Sequence, residues 1–194
     1  MTERAPVTAE NREIGRVAAE IFGGEQNVHT WWAPDRQHSV DILSCVGSPD
    51  PGVTAYATLT LSDHALTSMT DDLRVELMGS CDSAVDRFPE VMASCAFNII
   101  ENAPAIGPGV VFPGAISFHD LSSTMEHALF LPPFLTDASR QTLVLPTRTV
   151  AWLRLLPISE AEFQHVAAHG FMSLLDVMNV ARPNVYDINR ASVL

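Results

Sequence analysis

His165 and His169 stand four residues apart in a stretch of helical spacing, which would put two imidazoles on one face as a metal pair. The residues between them include no glutamate, and histidine also collects at helix ends because the macrodipole favours positive charge there. His119-Asp120 could orient an imidazole for acid–base work, or satisfy the backbone of its own turn. Glu76, inside a strand pattern, and Asp63, at a strand exit, are candidate paired carboxylates, although a carboxylate at such an exit commonly caps a turn. Cys81 and Cys95 would need an electropositive setting to react, and Cys81 is followed by Asp82. Trp31-Trp32 can form a binding surface or a core plug, and the bulk of two indoles favours the core. Nucleophile-elbow, Walker, dinucleotide and HExxH patterns do not occur. No catalytic residue, cofactor or metal ligand is assigned. The enzyme or small-ligand alternative would place its site in the irregular stretch around residues 104–120.

The totals point toward binding. Twenty-three acidic against 11 basic residues leave a net charge of −12, which repels a phosphate backbone and excludes nucleic acid as the expected partner. The same charge keeps a protein soluble and would steer a basic protein partner into contact. A cluster suited to that task is Asp71-Asp72 with Asp82, Asp86 and Glu90 nearby in the chain. The longest apolar runs are too short to span a membrane, and residues 1–6 carry no apolar stretch, so neither an anchor nor a secretory signal is expected. Three widely spaced cysteines without CxxC fit reduced thiols in a cytoplasm. At 194 residues and 47% hydrophobic, the chain is sized for one domain.

The elements that must position these residues are legible in part. Residues 8–22 predict an amphipathic helix, capped by Thr8 and stopped by Gly23-Gly24. Val40–Val46 predicts a strand. Thr58–Asp63 and Leu73–Met78 both alternate, which predicts two adjacent strands with one buried and one wet face, joined by His64–Asp72. Pro89 opens a helix through Ile99. Short strands are expected at Val110–Phe112 and Ala128–Leu131, then a loop over 133–147. Thr149–Leu156 lacks clean alternation, which predicts burial on both faces. Ser159 and Glu162 form a capping box with Ile158 and Phe163 as its staple, and a second helix follows Gly170. The expected fold is α+β, a single domain with a mixed, largely antiparallel sheet and helices packed on it. Residues 1–27 read as an N-terminal helix and lead-in packed on a domain of residues 28–194.

Taken in order, several of these segments resemble one known family. They are Thr58-Leu59-Thr60-Leu61-Ser62-Asp63, Arg74-Val75-Glu76-Leu77-Met78, Leu129-Phe130-Leu131-Pro132, Val150-Ala151-Trp152-Leu153-Arg154, Ser159-Glu160-Ala161-Glu162-Phe163 and the terminal Asp187-Ile188-Asn189-Arg190. From about residue 28 onward the chain resembles the suppressor of fused domain family in its compact bacterial form. The resemblance implies an α+β domain without known catalytic residues. The family's animal members are two-domain cytoplasmic regulators that grip a peptide of a Gli-type transcription factor by strand addition, and this chain resembles only their N-terminal domain. Their partner-contacting loop maps near residues 64–72. Its aromatic contact has no counterpart here, so the resemblance carries the region and not the Gli function. Many bacterial members are similar to immunity proteins encoded beside polymorphic toxins. The expectation is therefore a non-enzymatic, cytoplasmic protein-binding domain that neutralises a toxin, with Asp63, His64, Asp71 and Asp72 as partner-binding residues. A homodimeric regulator is a further alternative.

Overall fold

The alternating and buried segments pair into one sheet. A computed structural model describes residues 6–65, 73–102, 105–133 and 142–194. In chain order its elements are α1 (Ala9–Phe22), β1 (Glu25–Trp32), β2 (Ser39–Val46), β3 (Val53–Thr58), β4 (Leu73–Asp82), α2 (Phe88–Asn102), β5 (Val111–Phe112), β6 (His127–Leu131), β7 (Thr142–Val144), β8 (Thr149–Ile158), α3 (Glu160–His169) and α4 (Phe171–Ala181). The sheet runs β1-β2-β3-β4-β8-β6-β5, with β7 also paired to β8. Only β4 and β8 are parallel among the described strands. The fold is α+β, as the order of elements predicts.

Helices cover the sheet on both sides. On one face α2 packs through Val91, Met92, Cys95 and Ile99 onto Val75, Leu77, Leu153 and Leu155. On the other face, Ile14 and Ala18 of α1 meet Leu43, Ala57, Met78 and Trp152. Beside α1 on that side, α3 and α4 press Val166, Leu174 and Met178 onto Leu129, Leu156 and Ile158. Strand β8 touches all three clusters, which is why it is buried on both faces as its composition predicts. The Thr8 cap and the Ser159–Glu162 box both form, and Asn11 completes the first into a capping box that the sequence reading did not include. Asn11 N–H donates to Thr8 Oγ1 at 3.1 Å, and Glu162 N–H donates to Ser159 Oγ at 3.2 Å. The second box carries a role invisible in its spacing, because the buried Glu162 carboxylate also accepts Arg190 Nη1 at 2.6 Å and Nη2 at 2.7 Å.

Two expectations fail, for one reason. Strand β3 ends at Thr58, and Leu61–Asp63 turn into a short 3-10 helix instead of continuing the strand. Nor does β4 have a wet face, since Glu76 is completely buried. The Glu76 carboxylate accepts the N–H groups of Leu61 at 3.3 Å and Ser62 at 2.9 Å, and the hydroxyl of Thr58. A buried acceptor thus takes the backbone donors that a continued strand would have given to a ladder. The loop expected over 133–147 also differs, because Thr142–Val144 form β7 against the start of β8.

Candidate partner-binding surface

Strand β1 ends the sheet on one side, and sequence reading missed it. Its residues, Glu-Gln-Asn-Val-His-Thr-Trp-Trp, include β-formers but show no contrast between apolar and polar faces. All eight pair in unbroken register with β2, from Glu25 opposite Val46 to Trp32 opposite Ser39. Ala33 N–H donates to His38 O at 2.9 Å, which continues the register and sets its phase. By alternation, Trp31, His29 and Asn27 bond to β2, while the N–H and C=O groups of Trp32, Thr30, Val28 and Gln26 point away from the sheet. Among the described residues no strand meets them. The opposite edge, β5, is only two residues long.

The side chains of β1 extend the two sheet faces to this edge. His29 and Trp31, with rings 5.3 Å apart, line a groove of about 260 Å³ with Tyr56, Asp86 and Pro89, at the start of α2. Trp31 touches the core cluster under α2 without being buried, so the tandem indoles are a half-buried border and not a plug. Trp32 carries the Arg36 guanidinium 5.6 Å from its ring centre. Where β1 turns into β2, the rings of His38 and His64 meet edge to face at 5.5 Å. This contact brings the head of the 64–72 segment to the end of the free edge. Burial, aided by the neighbouring His38, holds the His64 imidazole below its usual pKa, so it is neutral at pH 7.

Asp63 sits beside this corner but is tied inward. It accepts Asn11 Nδ2 at 2.9 Å and Arg148 Nη2 at 2.7 Å, linking α1, the 3-10 turn and the approach to β8. Glu10 joins the same network, accepting Thr147 N–H at 2.9 Å. Asp71 and Asp72 lie outside the described residues, as does most of the 64–72 segment. Glu76 and Asp63 are near enough for the latter's charge to help raise the former's pKa, but Glu76 is completely buried.

The other candidate groups are placed as follows. His165 and His169 stack at 4.5 Å, and His165 Nε2 bonds Ser173 Oγ at 2.9 Å. His119 partners Ser94 and Glu90 rather than Asp120, whose backbone is left-handed at φ 52°. Glu76 faces the α1 side of the sheet and His119 the α2 side, so the pair do not share a pocket. All three cysteines are buried, and burial pushes their thiols up, to about 11 for Cys45 and about 12 for Cys81 and Cys95. They are inert at neutral pH. A cluster that sequence reading missed brings ligand atoms of Glu126, His127 and Glu160 within 4.8 Å of one another. Gly114 N–H donates to His127 Nδ1 at 2.8 Å, which leaves the neutral ring's proton on Nε2, directed at Glu160 at 2.8 Å. The nitrogen facing the carboxylates is thus a donor and not a metal ligand, and the cluster clasps β6 to the start of α3.

The model of the Suppressor of fused protein (SUFU) family matches residues 36–191. A curated relative from Bacillus subtilis (strain 168), named immunity protein YqcF, is 38% identical over 190 residues, covering 97% of this chain and 99% of the relative. Among solved structures, a SUFU homologue from Neisseria gonorrhoeae superimposes with a TM-score of 0.72 at 14% identity, over 95% of this chain and 97% of the other. Drosophila Suppressor of Fused gives 0.64 at 12% identity, covering 94% of this chain and 50% of that one. A chain of a Sufu–Fu complex gives 0.70 at 12% identity over 97% of this chain and 93% of the other. No helix of the described residues is long and apolar enough to cross a membrane.

Proposed function

Because the chain belongs to the Suppressor of fused protein (SUFU) family, we propose that it works by binding another protein along the free edge of β1. The observation that carries this reading is the edge itself. Long exposed edges invite pairing with foreign strands, and proteins ordinarily blunt them with lysine, proline, bulges or brevity. Strand β1 has eight residues in unbroken register, without lysine, arginine or proline. An extended segment of a partner would add a ninth strand, taking the outward backbone groups of Gln26, Val28, Thr30 and Trp32. The His38–His64 corner and the acidic residues beyond it, Asp71 and Asp72, would meet the partner's flank, with Asp63 setting the corner's position.

The partner we infer is a basic toxin domain, held in an inactive complex by occlusion. A relative that is 38% identical over nearly its full length and named an immunity protein supports this, as does the net charge of −12. Occlusion needs affinity and speed rather than chemistry.

A proline tests the edge with little effect on the fold. Val28 is half exposed and its N–H points away from β2, so Val28→Pro removes an outward donor and leaves the β1–β2 ladder intact. Affinity capture from the native cell, run with wild type and Val28→Pro in parallel, should retain a protein on the first and lose it on the second, at matched melting temperatures. Equal retention would remove the edge from the mechanism. A wild-type dimer that Val28→Pro converts to monomer in sedimentation would make the occupant a second copy of this chain.

A further inference from the structure

On the α2 side of the sheet, far along the chain from β1, three side chains meet in an order that can do covalent chemistry. Glu90, Ser94 and Asn98 fall on one stripe of α2 at successive four-residue steps. His119, at the end of the short 3-10 helix Ser117–His119, reaches across to that stripe. Its Nε2 lies 2.9 Å from Ser94 Oγ, and its Nδ1 lies 3.5 Å from Glu90 Oε2. At 3.5 Å the Glu90 carboxylate draws the neutral ring's proton to Nδ1 by its charge, without a formed hydrogen bond, and in that tautomer Nε2 presents its lone pair to the serine hydroxyl. The connection runs hydroxyl, Nε2, Nδ1, carboxylate, which is the arrangement that activates a serine nucleophile. Ser94 opens onto a cleft of about 360 Å³, walled by Cys95, Phe112 and Phe118 and rimmed by Asn98. That volume suits a small acyl group. Phe118 stands at its lip, 80% exposed. The Asn98 carboxamide has no hydrogen-bond partner among the described residues and can donate to an oxyanion.

We propose that Ser94, His119 and Glu90 form a second functional site, which cleaves carboxylic esters with a short apolar acyl chain. The Ser94 oxygen bonds to the ester carbonyl carbon as its proton passes to His119 Nε2. The tetrahedral intermediate collapses, the bond to the alcohol oxygen breaks, and the alcohol leaves with the proton from Nε2. Water then attacks the acyl-serine, giving its proton to Nε2. The carboxylic acid departs, and the proton returns to Ser94 Oγ. Ser94 and His119 are the catalytic residues, and Glu90 is a positioning residue. Arg87 holds Glu90 through its fork, with Nη2 at 2.8 Å and Nε at 3.1 Å, which fixes the carboxylate against His119. The groups facing His119 from α2 and its approach are Glu90 and Arg87. Burial foremost, with Arg87 beside it, holds the imidazole below its usual pKa against the pull of Glu90, so it is an unprotonated base at pH 7.

The test uses the full chain with a fluorophosphonate label and p-nitrophenyl butyrate. One adduct should form, mapping to the peptide that holds Ser94. Ser94→Ala, a favourable change inside a helix, should abolish the adduct and lower ester turnover on the order of a hundredfold at an unchanged melting temperature. His119→Gln should do the same. Turnover should rise with pH through a midpoint below the usual imidazole value, and Glu90→Gln should move that midpoint lower still, which a purely structural clasp would not do. Absence of label at Ser94, or equal turnover by Ser94→Ala, overturns the proposal. This site and the β1 edge use different elements, so each reading can fail alone.

Discussion

At the scale of single residues, Glu76 is the group whose placement has the most measurable consequence. It is fully buried, its carboxylate meets three donors and no cation among the described residues, and burial pushes its pKa up to about 7 against the hydrogen bonds from Thr58 and Ser62. Folding therefore favours the protonated form. The stability this group contributes is complete below its unfolded value near 4.5 and declines as pH rises through about 7. Urea midpoints of wild type minus Glu76→Gln should fall between pH 5 and 8, by up to about 3 kcal/mol when converted to free energy. A difference that stays flat across that window would mean the carboxyl is not protonated on folding. Glu162 shows the opposite balance. Burial raises its pKa, but Arg190 and the N–H groups of Val193 and Ser159 outweigh that and hold it low, so its contribution is present at neutral pH and lost in acid. Sequence spacing found the capping role of Glu162 because the box is local. Arg190 lies 28 residues on, and nothing local announces that pairing. Glu76 was misread for the same reason, since alternation gives the face of a side chain but not what will later cover that face.

At the scale of elements, the seating of α2 on the sheet depends on one position without a side chain. A Cβ built on Gly79 of β4 would come within 3.0 Å of Phe88 Cε1 and 3.3 Å of Met92 Sδ, both belonging to fully buried residues. Gly79→Ala should therefore cost about 1–3 kcal/mol through overpacking, read as a lower urea midpoint at constant slope. A neutral result would mean α2 can shift outward freely. Because α2 carries Glu90 and Ser94, the same substitution should also lower fluorophosphonate labelling. Elements with caps, such as α1 and α3, or with a long apolar run, such as β8, are readable in the sequence. Strand β1 was not, because an edge strand with a wet side and a half-covered side lacks the contrast that periodicity detects. The meeting of Ser94 with His119 was equally hidden, as it joins a helix to an irregular stretch 25 residues later.

At the scale of the whole molecule, the −12 charge acts on encounter rather than on the fold. Association with a basic partner should slow steeply as salt is added, and reversing Asp71 and Asp72 to lysine should reduce the low-salt association rate about tenfold. Rates that ignore both salt and reversal would leave the charge as a solubility feature. The parallel pair of β4 and β8 has a separate consequence, one of timing. On a ribosome, β4 is complete long before β8 exists, since α2, β5, β6 and β7 must all be made first. Until then, one flank of β4 offers an open row of backbone groups beside Leu77 and Met78, and the space for Trp152 stands unfilled. Sheets completed by such distant segments form slowly and expose sticky intermediates. Newly made chains should thus be most prone to misassembly in the interval before Thr149–Ile158 emerge, whatever the stability of the finished protein.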